Sequence, residues 1–530
     1  MYDVIIIGGG IVGTATARAL SRYQLKILLI ERESDIAVGA TKANSGILHA
    51  GYDCHPGTLK AALNVEGVAM YKELAKELDI PCRINGSLVI SADNDGPAKL
   101  VALYEQGLTN GVTDMELLSG EETLALEPNL NPKVTGALRA KTAGIISPYE
   151  AGIAFAENAA ENGVEFMLET TVTGVETSEN GGFTVWTQNT SLSADDCGID
   201  AARWGARPRP LAHDINTGRT YSSNVIQSSD LTNHPYDTGN RERSPLLTKV
   251  IINAAGIESA TIHNHISPNK ETILPQRGQY YLLDNTQRDL VKHTVFQLPT
   301  HLGKGVLVVP TIDYNIMLGP TAEPPETPTA TETTHEGLQE ALEKAGLILK
   351  HVPIRDRITA FAGIRAKHED KDFIIDESTP GFISAIGIDS PGLSAAPAIA
   401  KRIADLALAR LQPALNPNFK PERVSIKRFR ELPPAQQSAL IKENPAYGRI
   451  VCRCETITEA EIIEAIRRPV GAKNLGALKR RTRAQMGRCQ GGFCLTKLME
   501  LLSRELGIPE TAVTMDGVGS EVCIANHRKH

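Results

Sequence analysis

Residues 1–33, MYDVIIIGGGIVGTATARALSRYQLKILLIERE, decide the fold. Val4–Ile7 is a short apolar run, the pattern of a strand buried on both faces. It leads straight into Gly8, Gly10 and Gly13, spaced G-x-G-x-x-G. A helical pattern follows (Ala15, Ala19, Leu20), then a second apolar run, Ile27–Ile30, that ends on Glu31. Each part has a physical task. Gly8 permits the tight turn out of the strand, Gly10 lets the backbone approach a pyrophosphate, and Gly13 lets helix and strand pack closely. The helix N-terminus offers unpaired N–H groups and the positive end of a dipole to phosphates. Glu31 falls where a carboxylate accepts ribose hydroxyls. A purely structural glycine turn is the alternative, but the flanking strand, helix and acidic residue together predict dinucleotide binding.

Bulk properties set the frame. At 530 residues the chain exceeds a single core, so two to four domains are expected. A net charge of -7 argues against a general nucleic-acid binder. No apolar stretch reaches transmembrane length, and the N-terminus is the nucleotide strand rather than a signal peptide. The expectation is a cytoplasmic protein, with at most peripheral attachment at the inner face of the cell membrane. Four of the eight cysteines, Cys452, Cys454, Cys489 and Cys494, crowd into one late segment, while Cys54, Cys82, Cys197 and Cys523 are scattered. In a reducing compartment such a cluster points to metal rather than disulfides.

Beyond Glu31, a polar segment with glycines leads to a helix opened by Pro56 and Thr58. Residues 98–128 read as helical, with a capped start at Ser119 and Glu122 three positions on. A hairpin is expected through Asn180-Gly181-Gly182. Residues 188–246 are polar and aperiodic, and read as a surface insertion, either an extended hairpin loop or a partner-docking element. The run LLTKVIINAAGIES, 246–259, is a buried strand ending in small residues that let the backbone pass near a cofactor. Strands are expected at Gly278–Leu283, Gly305–Pro310 and Ile316–Gly319, and a long helix at about 394–411. The expected organisation is an oxidoreductase-like unit over 1–412, a linker over 413–447, a compact module over 448–510 and a tail over 511–530.

The blocks GGGIVG with Glu31, INAAG (252–256), LPQRGQYY (274–281) and GIDSPGLSAAPAIA (387–400) resemble the FAD-dependent oxidoreductases of the D-amino-acid-oxidase superfamily. TKANSGILHAGYDCHPGTLKA (41–61) resembles the branch that contains L-2-hydroxyglutarate and glycerol-3-phosphate dehydrogenases. The resemblance implies an α/β fold: a Rossmann-like FAD-binding domain interleaved with a mixed β-sheet substrate domain. It implies that Gly8, Gly10 and Gly13 meet the FAD pyrophosphate and Glu31 the ribose. Thr41, Lys42 and Ser45 line the flavin side, and Gly256 passes near the cofactor. The helix beginning around Gly392 and Leu393 aims its N-terminus at the flavin, where negative charge gathers on reduction.

Oxidising an alcohol by hydride transfer needs a base and a cation for the substrate's anionic group. His49, in LHAG, is the candidate base. It could instead be a covalent flavin anchor, as in related families, or a structural histidine. Arg365, in AGIRA, matches the position that holds a substrate carboxylate or phosphate, and a guanidinium grips either in bidentate fashion. Arg277 is a second cation candidate, with a packing role as the alternative. Tyr280 and Tyr281 alternate on a strand, so only one can face the site.

In the late segment, Cys452-Arg-Cys454 and Cys489-Gln-Gly-Gly-Phe-Cys494 suit a tetrathiolate site for zinc or an iron–sulfur cluster. CRCE followed by MGRCQGGFC resembles the bacterioferritin-associated-ferredoxin type of 2Fe–2S domain, found fused to the anaerobic glycerol-3-phosphate dehydrogenase large subunit. It implies a small helical domain with glycines that free N–H groups for the sulfurs. Lys479, Arg480, Arg481, Arg483 and Arg488 would offset the cluster's charge, and such a run alone is commonly a solvated face. The expected activity is oxidation of glycerol 3-phosphate to dihydroxyacetone phosphate. Its electrons would pass through the 2Fe–2S cluster to an acceptor protein or a quinone-linked subunit. An L-2-hydroxyglutarate or other 2-hydroxy acid dehydrogenase is the second reading, and a zinc-based interaction protein the third.

Overall fold

The computed structural model describes residues 1–93, 95–178, 181–190, 245–298 and 305–523. Strand Tyr2–Ile7 lies between Ile27–Ile30 and Leu246–Asn253 and runs parallel to both. Glu165–Met167 and Phe382–Ile386 extend this parallel core on either side. Two antiparallel additions, Thr170–Thr177 with Phe183–Asn189 and the strand Ile374–Thr379, complete an eight-stranded sheet. Helices Ile11–Leu20, Pro148–Glu161 and Gly392–Leu411 pack together over one face, with Leu59–Glu77 beyond them. The apolar run Val4–Ile7 is fully enclosed, as its continuous hydrophobicity requires.

Two glycines set the strand-to-helix crossing. Gly8 has φ +109°, and a Cβ there would lie 2.5 Å from the Ala254 carbonyl oxygen. A Cβ on Gly13 would collide with the carbonyl oxygen of Gly8 itself. A side chain at Gly8 would therefore push the two strand ends apart, and one at Gly13 would push the nucleotide helix off its strand.

A second sheet of eight strands is built from segments threaded between those of the first. Its order is Arg357–His368, Ile273–Leu283, Ile316–Gly319, Leu307–Pro310, Thr294–Gln297, Ser87–Ser91, Gly136–Ala140 and Met115–Ser119. Only the Thr294–Gln297 and Ser87–Ser91 pair is parallel. The expected interleaved, mixed-sheet architecture is therefore present. Two expectations need correction. Residues 98–128 are not one helical stretch. The helix Gly96–Thr109 stops at Asn110 and Gly111, and Met115–Ser119 pairs with Gly136–Ala140 before the capped helix Gly120–Leu126. The chance to pair with a waiting sheet edge outweighs local helix preference there. The strand expected at Gly278–Leu283 begins five residues earlier, at Ile273. The insertion proposed at 188–246 lies largely outside the described residues, as does Asn180 of the hairpin. The strands on either side of the insertion, Phe183–Asn189 and Leu246–Asn253, pair antiparallel.

The C-terminal module has its own core. A short hairpin, Ile450–Cys452 with Ile457–Thr458, precedes helices Glu459–Arg467, Leu475–Thr482 and Leu495–Leu506, packed around Ile462, Leu478, Leu498 and Leu502. Thr458 and Glu461 form a reciprocal cap that starts the first helix. The connecting stretch 413–447 carries a helix, Pro434–Glu443. Among the described residues, no helix is long and apolar enough to cross a membrane.

Module and lobes are joined by buried ion pairs. Asp35 takes Arg480 at 2.8 Å and Arg481 at 2.7 Å. Glu157 takes Arg423 at 2.6 Å and Arg468 at 2.7 Å. Arg483 spans Asp313, at 2.9 Å, and Glu455, at 3.0 Å, and Arg430 reaches the same two carboxylates. Arg480, Arg481 and Arg483 are thus no solvated face and are paired with carboxylates, whereas Arg488 stays exposed. Burial raises the pKa of Asp35 and of Glu157, but the guanidinium groups outweigh it and hold both below the ordinary carboxylate range. A carboxylate with a depressed folded-state pKa stabilises the fold above its unfolded pKa, and that stability is lost as the pH falls through the folded value. Limited proteolysis across 413–447 should therefore stay slow from neutral pH down to about pH 4 and accelerate below it. Acceleration between pH 7 and 5 would contradict the assignment.

Candidate active site and metal centre

Three parallel strands end side by side, presenting Gly8, Glu31 and the Ala254–Gly256 turn at the carboxyl edge of the first sheet. This is where an open α/β sheet takes its ligand. The Glu31 carboxylate accepts the Gly9 N–H at 2.6 Å and the Glu33 N–H at 2.9 Å. Burial raises its pKa against the pull of those two donors. Thr41 is buried, and its hydroxyl accepts the Ile11 N–H, the first of the nucleotide helix, at 3.0 Å. Asn44 fastens the 40–46 loop to itself through Ala40, Thr41 and Gly46. Gly256 has φ +57°, and the space where a Cβ would stand is open. Asn253, fully buried, locks that turn by donating to the Ser259 carbonyl at 2.7 Å. Gly10, with only the Thr41 hydroxyl 3.4 Å from a notional Cβ, leaves the approach to the helix N-terminus clear. These residues fit the diphosphate and ribose of FAD.

The second half of the site is brought in by the helix Gly392–Leu411. In its first turn, the Ser394 hydroxyl accepts the His49 N–H at 2.8 Å and donates to the Ile47 carbonyl at 3.1 Å. The Leu393 carbonyl accepts from the Tyr71 hydroxyl at 3.1 Å. His49 is thereby held at this helix N-terminus. Its ring lies 5.7 Å from that of Phe296, on the second sheet, so it stands at the seam of the two lobes. Ala43 presses against Gly363, where a Cβ could not fit, and this sets the 40–46 loop on strand Arg357–His368.

Strand register sorts the cations. Arg365 pairs with Gln276 in the sheet, two residues along from Gly363, on the face that carries Tyr280 and Phe361. Tyr280 is the tyrosine that faces the loop, 3.4 Å from the Ser45 hydroxyl. The Arg365 guanidinium is held by Gln276 at 3.0 Å and by the Thr321 carbonyl at 3.3 Å, without a carboxylate partner among the described residues. Arg277 points to the opposite face. It is buried and bound to Glu323 and Glu326, both at 3.0 Å. Arg277 therefore faces away from Arg365, and its geometry is that of the packing alternative. Sequence reading missed Ser394 and Asn253, each a single polar residue inside an apolar run, which was the available signal.

In the C-terminal module the thiols form two pairs. Cys454 and Cys489 lie 3.5 Å apart at the surface, and buried Cys452 is hydrogen-bonded by Cys494. The Cys494 bond lowers the Cys452 pKa to about 6, and Cys494 is pushed up in return. Backbone N–H groups of Glu455 and Gln485 point at Cys452, and those of Gly491 and Phe493 at Cys489. Gln485, Gln490 and Gly491 adopt left-handed conformations, which turns these donors inward. Cys494 opens the helix Leu495–Leu506, adding a positive dipole end. Among the described residues no group of three or more ligands converges on one point. Two thiol pairs suit two irons, each taking two thiolates, better than one tetrahedral zinc.

The fold and the site together define a flavoprotein oxidoreductase with an iron–sulfur appendage. The FAD dependent oxidoreductase family model matches residues 3–225 and 224–406, and the BFD-like [2Fe-2S] binding domain model matches 450–504. The chain belongs to the FAD dependent oxidoreductase family, and its cofactors are FAD and a 2Fe–2S cluster. It is 43% identical over 526 residues to a glycerol 3-phosphate dehydrogenase of Caloramator mitchellensis, covering 98% of each chain. An L-2-hydroxyglutarate dehydrogenase of Bos taurus is 29% identical over 327 residues, 61% of each chain. The FAD-bound L-alpha-glycerophosphate oxidase of Mycoplasma pneumoniae superposes with a TM-score of 0.66 at 28% identity, over 79% of this chain and 98% of that one. The zinc-protein reading gives way. Cys489→Ala should lose iron and acid-labile sulfide while keeping the flavin absorption bands. Full iron content in that variant would contradict the ligand assignment.

Proposed function

We propose that the protein is a dehydrogenase that oxidises sn-glycerol 3-phosphate to dihydroxyacetone phosphate. Residues 1–412 would carry the chemistry, and residues 448–510 the electron exit, joined by 413–447. The observation that carries the reading is a nucleotide site at the edge of the first sheet together with four thiols in a docked carboxyl-terminal module, in one chain. The end-to-end similarity to a glycerol 3-phosphate dehydrogenase, cluster module included, supports it.

FAD, when bound, accepts hydride, and the 2Fe–2S cluster passes electrons on singly. The chain's own part is positioning and proton transfer. Arg365 holds the phosphate, because its guanidinium is oriented by neutral oxygens and keeps its charge for an incoming anion. His49 takes the hydroxyl proton as the carbon–hydrogen bond breaks. Ser394 fixes the backbone of His49, so the base cannot drift from the helix N-terminus. Tyr280 and Phe361, stacked 4.7 Å apart, wall the substrate side. Electrons leave where Cys454 and Cys489 reach the surface beside Phe493, 82% exposed, and exposed Arg453. The acceptor there is a redox protein or quinone-linked subunit, met in the cytoplasm or at the inner face of the membrane.

A 2-hydroxy acid is the second reading, because the Arg365 fork grips a carboxylate equally well. Anaerobic reduction of the holoenzyme by a panel of alcohols separates the two. Glycerol 3-phosphate should bleach the flavin within one turnover, and L-2-hydroxyglutarate should not. The reverse order would reject the proposal. His49→Asn should slow that bleaching roughly 10²- to 10³-fold with little change in substrate affinity. Arg365→Lys should raise KM about tenfold or more, because a single ammonium replaces a bidentate grip. A His49→Asn enzyme with the wild-type rate would remove the base assignment.

A further inference from the structure

Two aromatic side chains stand at the surface without a packing role. Tyr314, at the tip of the turn between the strands Leu307–Pro310 and Ile316–Gly319, is half exposed at φ +68°, a conformation that bulky residues rarely hold. Its ring lies between two guanidinium groups, Arg83 at 4.8 Å and Arg288 at 5.4 Å from the ring centre. Backbone strain that serves to present a stacked aromatic to solvent is a mark of a functional surface. Phe493, beside the candidate ligand Cys494, is the most exposed large apolar side chain among the described residues.

Ion pairs and turns join the two. Exposed Arg488, next to Cys489, donates to Asp284 at 3.0 Å. Asp284 caps the turn that leads to Arg288, accepting the Thr286 N–H at 3.0 Å. Asp313, the neighbour of Tyr314, takes Arg483 at 2.9 Å, and Arg483 also binds Glu455, which follows Cys454. Around Tyr314 and Phe493 stand half-buried Arg83 and exposed Arg288, Arg453 and Arg488. Asp284 and Asp313 are buried and paired, Asp356 is half-buried and bonded to Gln287, and Asp289 is the exposed acid beside Arg288. This is a local basic excess on a chain whose net charge is -7.

Arginine and aromatic residues together are what protein interfaces concentrate at their energetic centres. A second copy docked symmetrically would bring the same arginines face to face. A lipid surface is met by an amphipathic helix or a polybasic segment, whereas this face is made of short turns. We infer that the cluster loop and these two turns of the second sheet form one docking face for the electron acceptor, and that the acceptor is a redox protein with an acidic surface around its own centre. The inference rests on the electron exit proposed above and adds the partner's charge and the second sheet's share of the surface. The step is a one-electron transfer: the reduced cluster loses an electron, the partner's centre gains it, and no bond forms or breaks.

The test uses full-length holoenzyme and two probe acceptors, an acidic b-type cytochrome and a basic c-type cytochrome. Binding is read on the oxidised protein without turnover. Electron transfer is read after reduction with dithionite and removal of the excess, which loads the cluster whatever the substrate. The acidic probe should bind the wild-type protein more tightly than the basic one, and added salt should weaken that binding. Arg288→Glu should slow reduction of the acidic probe about tenfold or more at low salt. Tyr314→Gly, which suits the positive φ of the turn, should weaken its binding about tenfold or more. Iron, sulfide and flavin contents should stay at wild-type levels in both. Lys72→Glu, the same charge change at an exposed site on the helix Leu59–Glu77, should leave the acidic probe unaffected. Preference for the basic probe, or wild-type binding in both Arg288→Glu and Tyr314→Gly, would overturn the inference. So would binding to anionic phospholipid vesicles that Arg288→Glu abolishes while the acidic probe is unaffected, which would give the face to a membrane. Cys489→Ala separates this inference from the reading beneath it: probe reduction at the wild-type rate without the cluster would reject the electron exit itself.

Discussion

Asp35 lies four residues beyond the acid that ends the nucleotide strand, and it is enclosed by two arginines from the opposite end of the chain. Taking one carboxylate and two guanidinium groups out of water is expensive, and such a cluster persists only where the geometry satisfies it. Here Arg481 adds bonds to the Ala477 and Val470 carbonyls, and Arg480 turns its remaining arm to Asp516. Removing Asp35 would strand the buried Arg481 guanidinium without a carboxylate in the cluster. This explains why the module is seated in one orientation rather than tethered loosely. Asp313 and Glu157 repeat the device at two more points, so three buried carboxylates hold the seam.

In the proposed function the same constraint would serve electron flow. A cluster that must receive electrons from a flavin needs a fixed distance to it, and a swinging domain would make each transfer wait for an encounter. Glu455, immediately after the candidate ligand Cys454, is tied through Arg483 to Asp313, in the turn between the strands Leu307–Pro310 and Ile316–Gly319. The ligand loop itself is therefore anchored to the catalytic lobe. The opposite side of the loop, with Cys454 and Phe493, faces outward. The module is thus two-sided: one side is bonded to the rest of the chain, and the other carries exposed Cys454 and Phe493.

How much of this could be read from the residues depended on separation along the chain. The nucleotide turn is contiguous, and its glycines have steric tasks, so Gly8, Gly13 and Glu31 were legible at once. The four cysteines were legible as a metal-site candidate, but their spacing left zinc and an iron–sulfur cluster open, and the resemblance chose between them. Arg365 and Arg277 were not separable, since both lie in extended runs and only the pairing of Gln276 with Arg365 shows that they face opposite ways. The basic run at 479–488 misled for a related reason. Three of its carboxylate partners, Asp35, Asp284 and Asp313, lie 170 to 446 residues away, and no local pattern announces them. Met115–Ser119 misled because a strand that joins an edge late owes its conformation to the partner.

One measurement bears most directly on the account. Anaerobic holoenzyme is mixed with one equivalent of glycerol 3-phosphate, frozen at intervals, and followed by flavin absorbance and by electron paramagnetic resonance. The account predicts that the resonance of a reduced 2Fe–2S cluster grows as the flavin band bleaches, within the time of a single turnover. A flavin that bleaches fully while the cluster stays oxidised would contradict it.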